Sequence, residues 1–166
     1  AEVVGLDLSA GMLRQAQGVA CVRGSARRLP FAPESFDGVV AVEVLEHVGA
    51  IADVLAEIRR VLRPGGVVTI VDKNAGALDA NRPWLPGLLV KWIDERRGLW
   101  MYPAGAPVRE RWFWPRAVAR QLRAGFEGVT VSHLLTTREA SRAVFRHVPD
   151  VRMMVLWTGR RPGGGG

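Results

Sequence analysis

SFDGVVAVEVLEHVGAIADVLAEIRRVLRPGGVVTIVD, residues 35–72, reads as a strand, a helix and a second strand in that order. Phe36-Asp37-Gly38-Val39-Val40-Ala41-Val42 is apolar at nearly every position, as a strand covered on both faces should be, and this points to a parallel sheet. After Glu43–Val48, the residues Ile51, Val54, Leu55, Ile58, Val61 and Leu62 fall on one helical stripe, with Glu57, Arg59, Arg60 and Arg63 largely opposite. Pro64-Gly65-Gly66 stops that helix, and Val67–Val71 forms another buried strand ending at Asp72.

The same rhythm extends upstream. Ala1–Asp7 is a short β-rich run ending in an acid, and Ser9 offers a cap to a helix carrying Met12, Leu13 and Ala16 on one face. Val19–Val22 is a further strand that runs into Gly24-Ser25-Ala26 and a loop holding Leu29-Pro30-Phe31, which proline and charge keep irregular. Strand and helix therefore alternate through Asp72, the signature of a doubly wound α/β fold. Downstream the rhythm breaks. Residues 73–114 contain Trp84, Trp92, Trp100, Trp112 and Trp114 and read as an insertion, after which a helix opens at Pro115 and runs to about Ala124. Glu127–Leu135 and Val151–Thr158 are strands whose connection is too short for a long crossover helix, so an antiparallel pair is expected at the sheet edge. The expected organisation is a single domain over residues 1–160 with a flexible tail over residues 161–166.

Composition narrows the function classes. A chain of 166 residues that is 48% hydrophobic can bury one real core. Its longest apolar runs fall far short of the roughly 20 residues that span a bilayer, and residues 1–7 carry no signal-peptide pattern, so a soluble, cytoplasmic protein is expected. Cys21 is the single cysteine, which rules out an internal disulfide and a thiolate metal cluster within the chain. His133 and His147 have no partner at metal-ligand spacing, and no metal site is expected. The formal charge of +7 is carried almost wholly by arginine, Lys73 and Lys91 being the lysines. Such a charge attracts RNA, anionic lipid or acidic ligands without choosing among them.

Five stretches fall in one order: Val-Val-Gly-Leu-Asp-Leu-Ser-Ala-Gly-Met-Leu at 3–13, Gly-Ser-Ala-Arg-Arg-Leu-Pro-Phe at 24–31, Ser-Phe-Asp-Gly-Val-Val at 35–40, Val-Leu-Glu-His-Val at 44–48 and Val-Leu-Arg-Pro-Gly-Gly at 61–66. Together they resemble the class I S-adenosylmethionine-dependent methyltransferases (methyltransferase type 11) that include the ubiquinone and menaquinone biosynthesis enzymes. Beyond Asp72 the resemblance is to the general layout of that family alone. It implies a Rossmann-like methyltransferase sheet, mostly parallel with an antiparallel C-terminal edge, and S-adenosylmethionine as cofactor. On that resemblance Asp7, with the adjacent Leu8, would hold the cofactor ribose, an acid at a strand end being suited to vicinal hydroxyls. The alternative for Asp7 is a solvated turn residue ahead of the Ser9 cap. Ser25 and Ala26 match the loop that meets the adenine. Ser25 stands where the family usually has aspartate, which costs charge assistance worth about 1 kcal/mol, and a plain turn role is the alternative. Glu43 would line the methionine end of the cofactor or orient the acceptor. Methyl transfer is an in-line displacement that needs a base only if the acceptor loses a proton, and His47 is the candidate base. Support of the following helix is the other role open to His47. Asp72 and Lys73 are expected in an exposed turn, without a catalytic role.

The glycine-rich loop that the family places between its first strand and first helix has no counterpart here: Pro64-Gly65-Gly66 ends a helix and Gly163–Gly166 is a tail. In the family that first strand is central, its sheet order being three, two, one, four, five, seven, six. The reading is therefore of an N-terminally incomplete chain, missing the first strand and helix and inactive in that form, with a true degenerate paralogue as the alternative.

In the insertion, Leu85, Leu88, Leu89, Trp92, Ile93, Leu99 and Trp100 approach helical spacing while Lys91, Asp94, Glu95 and Arg97 lie elsewhere, which predicts an amphipathic helix. It would serve as a lid over a small-molecule or lipid-like acceptor, or pack on the core. Tryptophan and arginine on such a surface also suit peripheral membrane contact. Nucleic acid ranks lower, since the basic residues are scattered and accompany no recognition motif. The rival from another class is a non-catalytic, methyltransferase-like interaction scaffold with a membrane- or partner-binding Trp/Arg surface. Oligomeric state and the acceptor atom are not legible.

Overall fold

The computed structural model describes residues 2–102, 104–106 and 109–164. Strand β1 (Val4–Asp7) is followed by a single helical turn, α1 (Ala10–Leu13), which Ser9 caps by accepting from the Met12 amide. Ala16 lies outside α1, and Met12 is exposed, so the expected buried face is absent from that turn. Strand β2 (Ala20–Arg23) pairs parallel with β1 in register Val4↔Ala20 through Asp7↔Arg23. These two make a sheet of their own.

A second, four-stranded sheet carries the core. Strand β3 (Phe36–Val42), helix α2 (Ile51–Val61) and strand β4 (Leu62–Lys73) are the predicted strand-helix-strand unit, with β3 and β4 parallel. After the insertion come α4 (Pro115–Arg123) and β5 (Glu127–Leu134), then α5 (Thr137–Ala140), α6 (Ala143–His147) and β6 (Met154–Arg160). The insertion's own helix is α3 (Gly87–Arg96). The sheet order is β3-β4-β6-β5. β6 runs antiparallel to both neighbours, so the antiparallel C-terminal pair forms as expected, with β6 inside and β5 at the rim.

The stripe of α2 and the residues Val118, Ala119 and Leu122 of α4 pack on Ala41, Val68, Ile70, Val155 and Trp157, a single cluster from which water is excluded. The opposite face of β3 is open: Val40 is 71% and Val42 57% exposed, although the sequence is apolar on both faces. Here the expectation of a strand covered on both faces is corrected, because no described element packs over that side. α2 ends at Val61, ahead of the Pro-Gly-Gly stop, since Leu62 already has an extended ψ of 142° and begins β4. Arg161 fastens this junction by donating to the carbonyls of Arg59 and Leu62 and to Glu34, so the expected tail starts after it.

Of the roles open to the insertion's amphipathic helix, packing of the leucines on the core is not the one α3 takes. Val90 and Lys91 face inward, whereas Leu88, Leu89 and Trp92 face out. Lys91 is tolerated inside because it is paired with Glu95 one turn on. None of the described helices is long and apolar enough to cross a membrane.

Candidate active site

In open α/β sheets ligands gather at the carboxyl ends of the strands. β4 alternates, placing Val68, Ile70 and Asp72 on its buried side. Asp72 is fully buried and its Oδ2 accepts the backbone amides of Leu45 (2.9 Å) and Glu46 (3.2 Å), while Oδ1 accepts the Lys73 amide (2.8 Å). Burial raises its pKa and these amides oppose the rise. Asp72 thereby fixes the 3-10 turn Leu45–His47 that carries Glu46 and His47.

Lys73 is drawn into the same site and is mostly covered. Its Nζ lies 2.7 and 2.8 Å from the two carboxylate oxygens of Glu46, 3.0 Å from Glu110 and 3.3 Å from Glu43. The exposed turn expected for Asp72 and Lys73 is thus corrected: the period-two alternation of β4 carries the acid inward, and three carboxylates hold the ammonium. With one cation among several buried carboxylates, the charges do not balance. Burial, helped by the negative charge of Glu110 and Asp72 and opposed by Lys73, pushes the Glu46 carboxyl up to about 7. Burial works to lower the Lys73 pKa, but Glu46 and Glu110 outweigh it and keep the amine charged. Glu110 stays ionised for a different reason. Burial would raise it, but hydrogen bonds from Trp112 Nε1 (2.7 Å), Lys73 and Trp100 Nε1 (3.0 Å) bring it below the usual range.

His47 Nε2 sits 3.2 Å from Glu46 Oε1, and its imidazole meets the Tyr102 ring edge-on at 5.6 Å between centroids. Glu43 leaves β3 with φ 51°, a left-handed conformation that costs a non-glycine residue of order 1 kcal/mol and is held here by its amide on the Val71 carbonyl (2.8 Å). A cavity of about 320 Å³ adjoins the cluster, lined by Trp92, Glu95, Arg96, Tyr102, Arg109 and Glu110. A larger one, about 440 Å³, lies at the far end of β4 beside Val67, Glu127 and Arg160, away from these groups.

The structure therefore brings Glu43 and His47 together and adds Glu46, Lys73, Asp72 and Glu110 to them. The other expected residues sit at the ends of β1 and β2. Asp7 accepts the Ser9 amide at 2.6 Å on Oδ1, Leu8 is exposed beside it, and the Ser25 hydroxyl accepts the Arg27 amide at 3.3 Å. Ala26 packs against the main core. The loop bearing Ser25 and Ala26 is tied to α2 by Arg27–Asp53 (2.8 Å) and by the Leu29 amide on Glu57 (2.7 Å). His133 lies on edge strand β5 near Asp150, and His147 is exposed at the end of α6.

The fold is that of the class I S-adenosylmethionine-dependent methyltransferases. It superposes on a possible histamine N-methyltransferase of Thermotoga maritima with TM-score 0.68 at 20% identity, covering 95% of this chain and 72% of that one. An S-adenosylmethionine-dependent methyltransferase of Mesorhizobium loti gives 0.67 at 22% identity, covering 96% and 80%. Within the class, residues 1–70 match the family described as Methyltransferase domain, and the sequence relatives include quinone methyltransferases. The 2-phytyl-1,4-naphtoquinone methyltransferase of Synechocystis is 33% identical over 140 residues, which is 75% of this chain and 59% of that protein. The ubiquinone/menaquinone biosynthesis C-methyltransferase UbiE of Paracoccus denitrificans is 36% identical over 83 residues, 50% and 30% of the respective chains. The chain thus spans from under a third to about three fifths of the length of these relatives.

S-adenosylmethionine is the cofactor of the class, and the residues present suit its nucleoside. Asp7 ends a parallel strand, and its Oδ1 accepts the Ser9 amide while no side-chain partner occupies Oδ2 among the described residues. Leu8 offers an exposed apolar surface next to it.

Proposed function

We propose that the protein transfers a methyl group from S-adenosylmethionine to a lipophilic ring acceptor, with the Glu46–His47 pair receiving the proton the acceptor releases. The observation that carries this reading is the pair itself, a buried Glu46 against a solvent-accessible His47 on the turn that follows β3, with Asp72 holding the turn's amides and Lys73 holding the Glu46 carboxylate. The bound cofactor supplies an electrophilic methyl on a sulfonium. Asp7 and Leu8 hold the ribose, Ser25 and Ala26 meet the adenine, and Glu43 faces the methionine end, its strained backbone aiming the carboxylate toward Lys73.

The acceptor class follows from two supports. The cavity beside Tyr102 has aromatic and arginine walls that suit a ring bearing oxygen, and the relatives are named for naphthoquinone, ubiquinone and menaquinone substrates. His47 takes the proton on Nδ1, since its Nε2 faces Glu46 at 3.2 Å, and that carboxylate stabilises the imidazolium that forms. Because Lys73 is shared among three carboxylates, it sets the Glu46 charge and does not itself take up the proton.

Calorimetric binding of S-adenosylhomocysteine and methylation of a demethylated quinol test this. Asp7→Ala should abolish cofactor binding, and unchanged affinity would remove Asp7 from the site. His47→Ala should lower kcat by about 10²–10⁴-fold with cofactor affinity intact. The open apolar face of α3 favours one second reading, a methyltransferase-like scaffold that acts through its tryptophan-rich surface. Absence of any S-adenosylhomocysteine binding by the protein would move that reading ahead.

A further inference from the structure

A helix whose apolar stripe faces water and whose lysine faces the core is stable only if something else meets that stripe. In α3, Leu88, Leu89 and Trp92 are 38%, 43% and 49% exposed, while Lys91 is inside at 7%. Trp84 precedes the helix, and Leu99 and Met101 follow it, all three more than two-thirds exposed. Single exposed apolar residues need no explanation, but six within residues 84–101 form a patch.

The exposed charges around this patch are cationic, while the acids beside it are half-buried. Arg82, Arg96 and Arg97 are exposed. The nearby acids are occupied or set back: Glu95 is paired with Lys91, Asp79 accepts the amides of Asn81 and Arg82, and Asp94 is half-buried. The Arg96 guanidinium also lies over the Trp92 ring, 4.0 Å from its centroid, so that cation and indole present themselves as one unit. Leucines that enter the acyl boundary, indoles that sit at headgroup depth and cations that meet anionic headgroups are the three components of an interfacial helix.

We infer that the outer face of α3, with Trp84, Leu99 and Met101 at its ends, docks on the surface of an anionic lipid bilayer. This inference is independent of the methyl-transfer reading, because it uses neither the cofactor residues nor the Glu46–His47 pair. It does bear on access to the site. Trp92 and Arg96 also line the 320 Å³ cavity, so the docking face and the cavity mouth share residues, and an acceptor dissolved in the bilayer would meet the cavity without crossing water.

The test is co-sedimentation of the full chain with phosphatidylcholine vesicles and with vesicles that also contain phosphatidylglycerol. Binding is expected to the anionic vesicles and to fall with added salt. Leu88→Ser with Leu89→Ser and Trp92→Ala should lower the partition coefficient at least about 10-fold. Arg96→Glu with Arg97→Glu should remove the salt-sensitive part, while the same charge change at Arg120 and Arg123 of α4 should leave binding as it was. These side chains are exposed, and a thermal melt checks that each variant remains folded. Failure of the chain to sediment with anionic vesicles overturns the inference, as does equal sedimentation of the α3 triple variant. A concentration-dependent dimer that the triple variant disperses, without vesicle binding, would assign the face to a second copy. Equal binding to RNA that the triple variant abolishes, again without vesicle binding, would assign it to nucleic acid. Loss of S-adenosylhomocysteine binding has no bearing on any of these outcomes.

Discussion

At the scale of the residue, the protein concentrates its unusual chemistry in Glu46 and Lys73. A carboxyl whose pKa rises from its ordinary 4.5 to about 7 on folding binds a proton in the native state that the unfolded chain has already released. Its contribution to stability is therefore complete below pH 4.5 and is lost as pH climbs through about 7, by an amount of order 3 kcal/mol. Glu46→Gln fixes the side chain in its neutral form. Urea denaturation at pH 5 and pH 8 should show the wild type losing stability over that window and the variant losing distinctly less; parallel losses would place the titration elsewhere. Glu43 tests the opposite kind of strain. Glu43→Gly relieves a left-handed backbone and gives up a half-exposed ion pair, each worth about 1 kcal/mol, so the melting temperature should move little while S-adenosylhomocysteine binding weakens. A collapse of stability in that variant would mean that Glu43 is structural. Of these residues, Glu43 and His47 were legible from the motif they stand in. Asp72 was within reach, since period two puts it on the side of Val68 and Ile70, yet a terminal acid followed by lysine reads more simply as a turn. Glu110 gave no local signal, because its partners Trp100, Trp112 and Lys73 are fixed by tertiary packing alone.

At the scale of the element, hydropathy spacing located helices better than it oriented them. The stripe of α2 was read correctly because Ile51, Val54, Leu55 and Ile58 have a sheet to cover. The spacing of α3 identifies an amphipathic helix and leaves open what meets its apolar side, core, acceptor or lipid, and the structure turns Leu88, Leu89 and Trp92 outward. That orientation became possible when Lys91 found Glu95 in its own helix. β3 carries the same lesson, being apolar on two faces but covered on one. The junction of α2 and β4 was placed a few residues late, since a proline and two glycines look like the stop while the chain has already straightened at Leu62. Arg161 does the fastening there. Arg161→Ala removes donors to the carbonyls of Arg59 and Leu62 and should cost about 1–3 kcal/mol in urea denaturation. A change below a few tenths would mean that water replaces the guanidinium without penalty.

At the scale of the whole molecule, the insertion is joined to the α/β body through a small number of long-range contacts. Backbone bonds run from Arg111 to Glu46, from Phe113 to Lys73 and from Leu78 to Val151, the Asn74 side chain donates to the carbonyls of Asp150 and Arg152, and Glu110 meets Lys73. Lys73→Met deletes the cation that three carboxylates share and leaves Glu46 and Glu110 buried without it, an unpaired arrangement that typically costs about 3–5 kcal/mol. Trypsin should then cut at Arg96, Arg97 or Arg111 faster than in the wild type, with the body still resistant; an unchanged digestion pattern would show that the remaining bonds hold the insertion. The strand-helix alternation legible in the sequence describes the body, and the docking of the insertion escaped it because nothing periodic connects Glu110 with Lys73.

Glu110 has a further consequence, an optical one. Its two oxygens each accept an indole N–H, and the rings of Trp100 and Trp112 lie 6.0 Å apart, close enough to exchange excitation energy. Trp157, fully buried on β6 with its indole donating to the Pro115 carbonyl, supplies a constant emitter far less exposed than Trp84 and Trp92. A ligand entering the cavity beside Glu110 changes the field on the coupled pair and on Trp92, which lines the cavity, and leaves the β6 indole untouched. The protein thereby contains its own paired dye and internal standard, and filling of the cavity can be followed by emission colour and polarisation without any label.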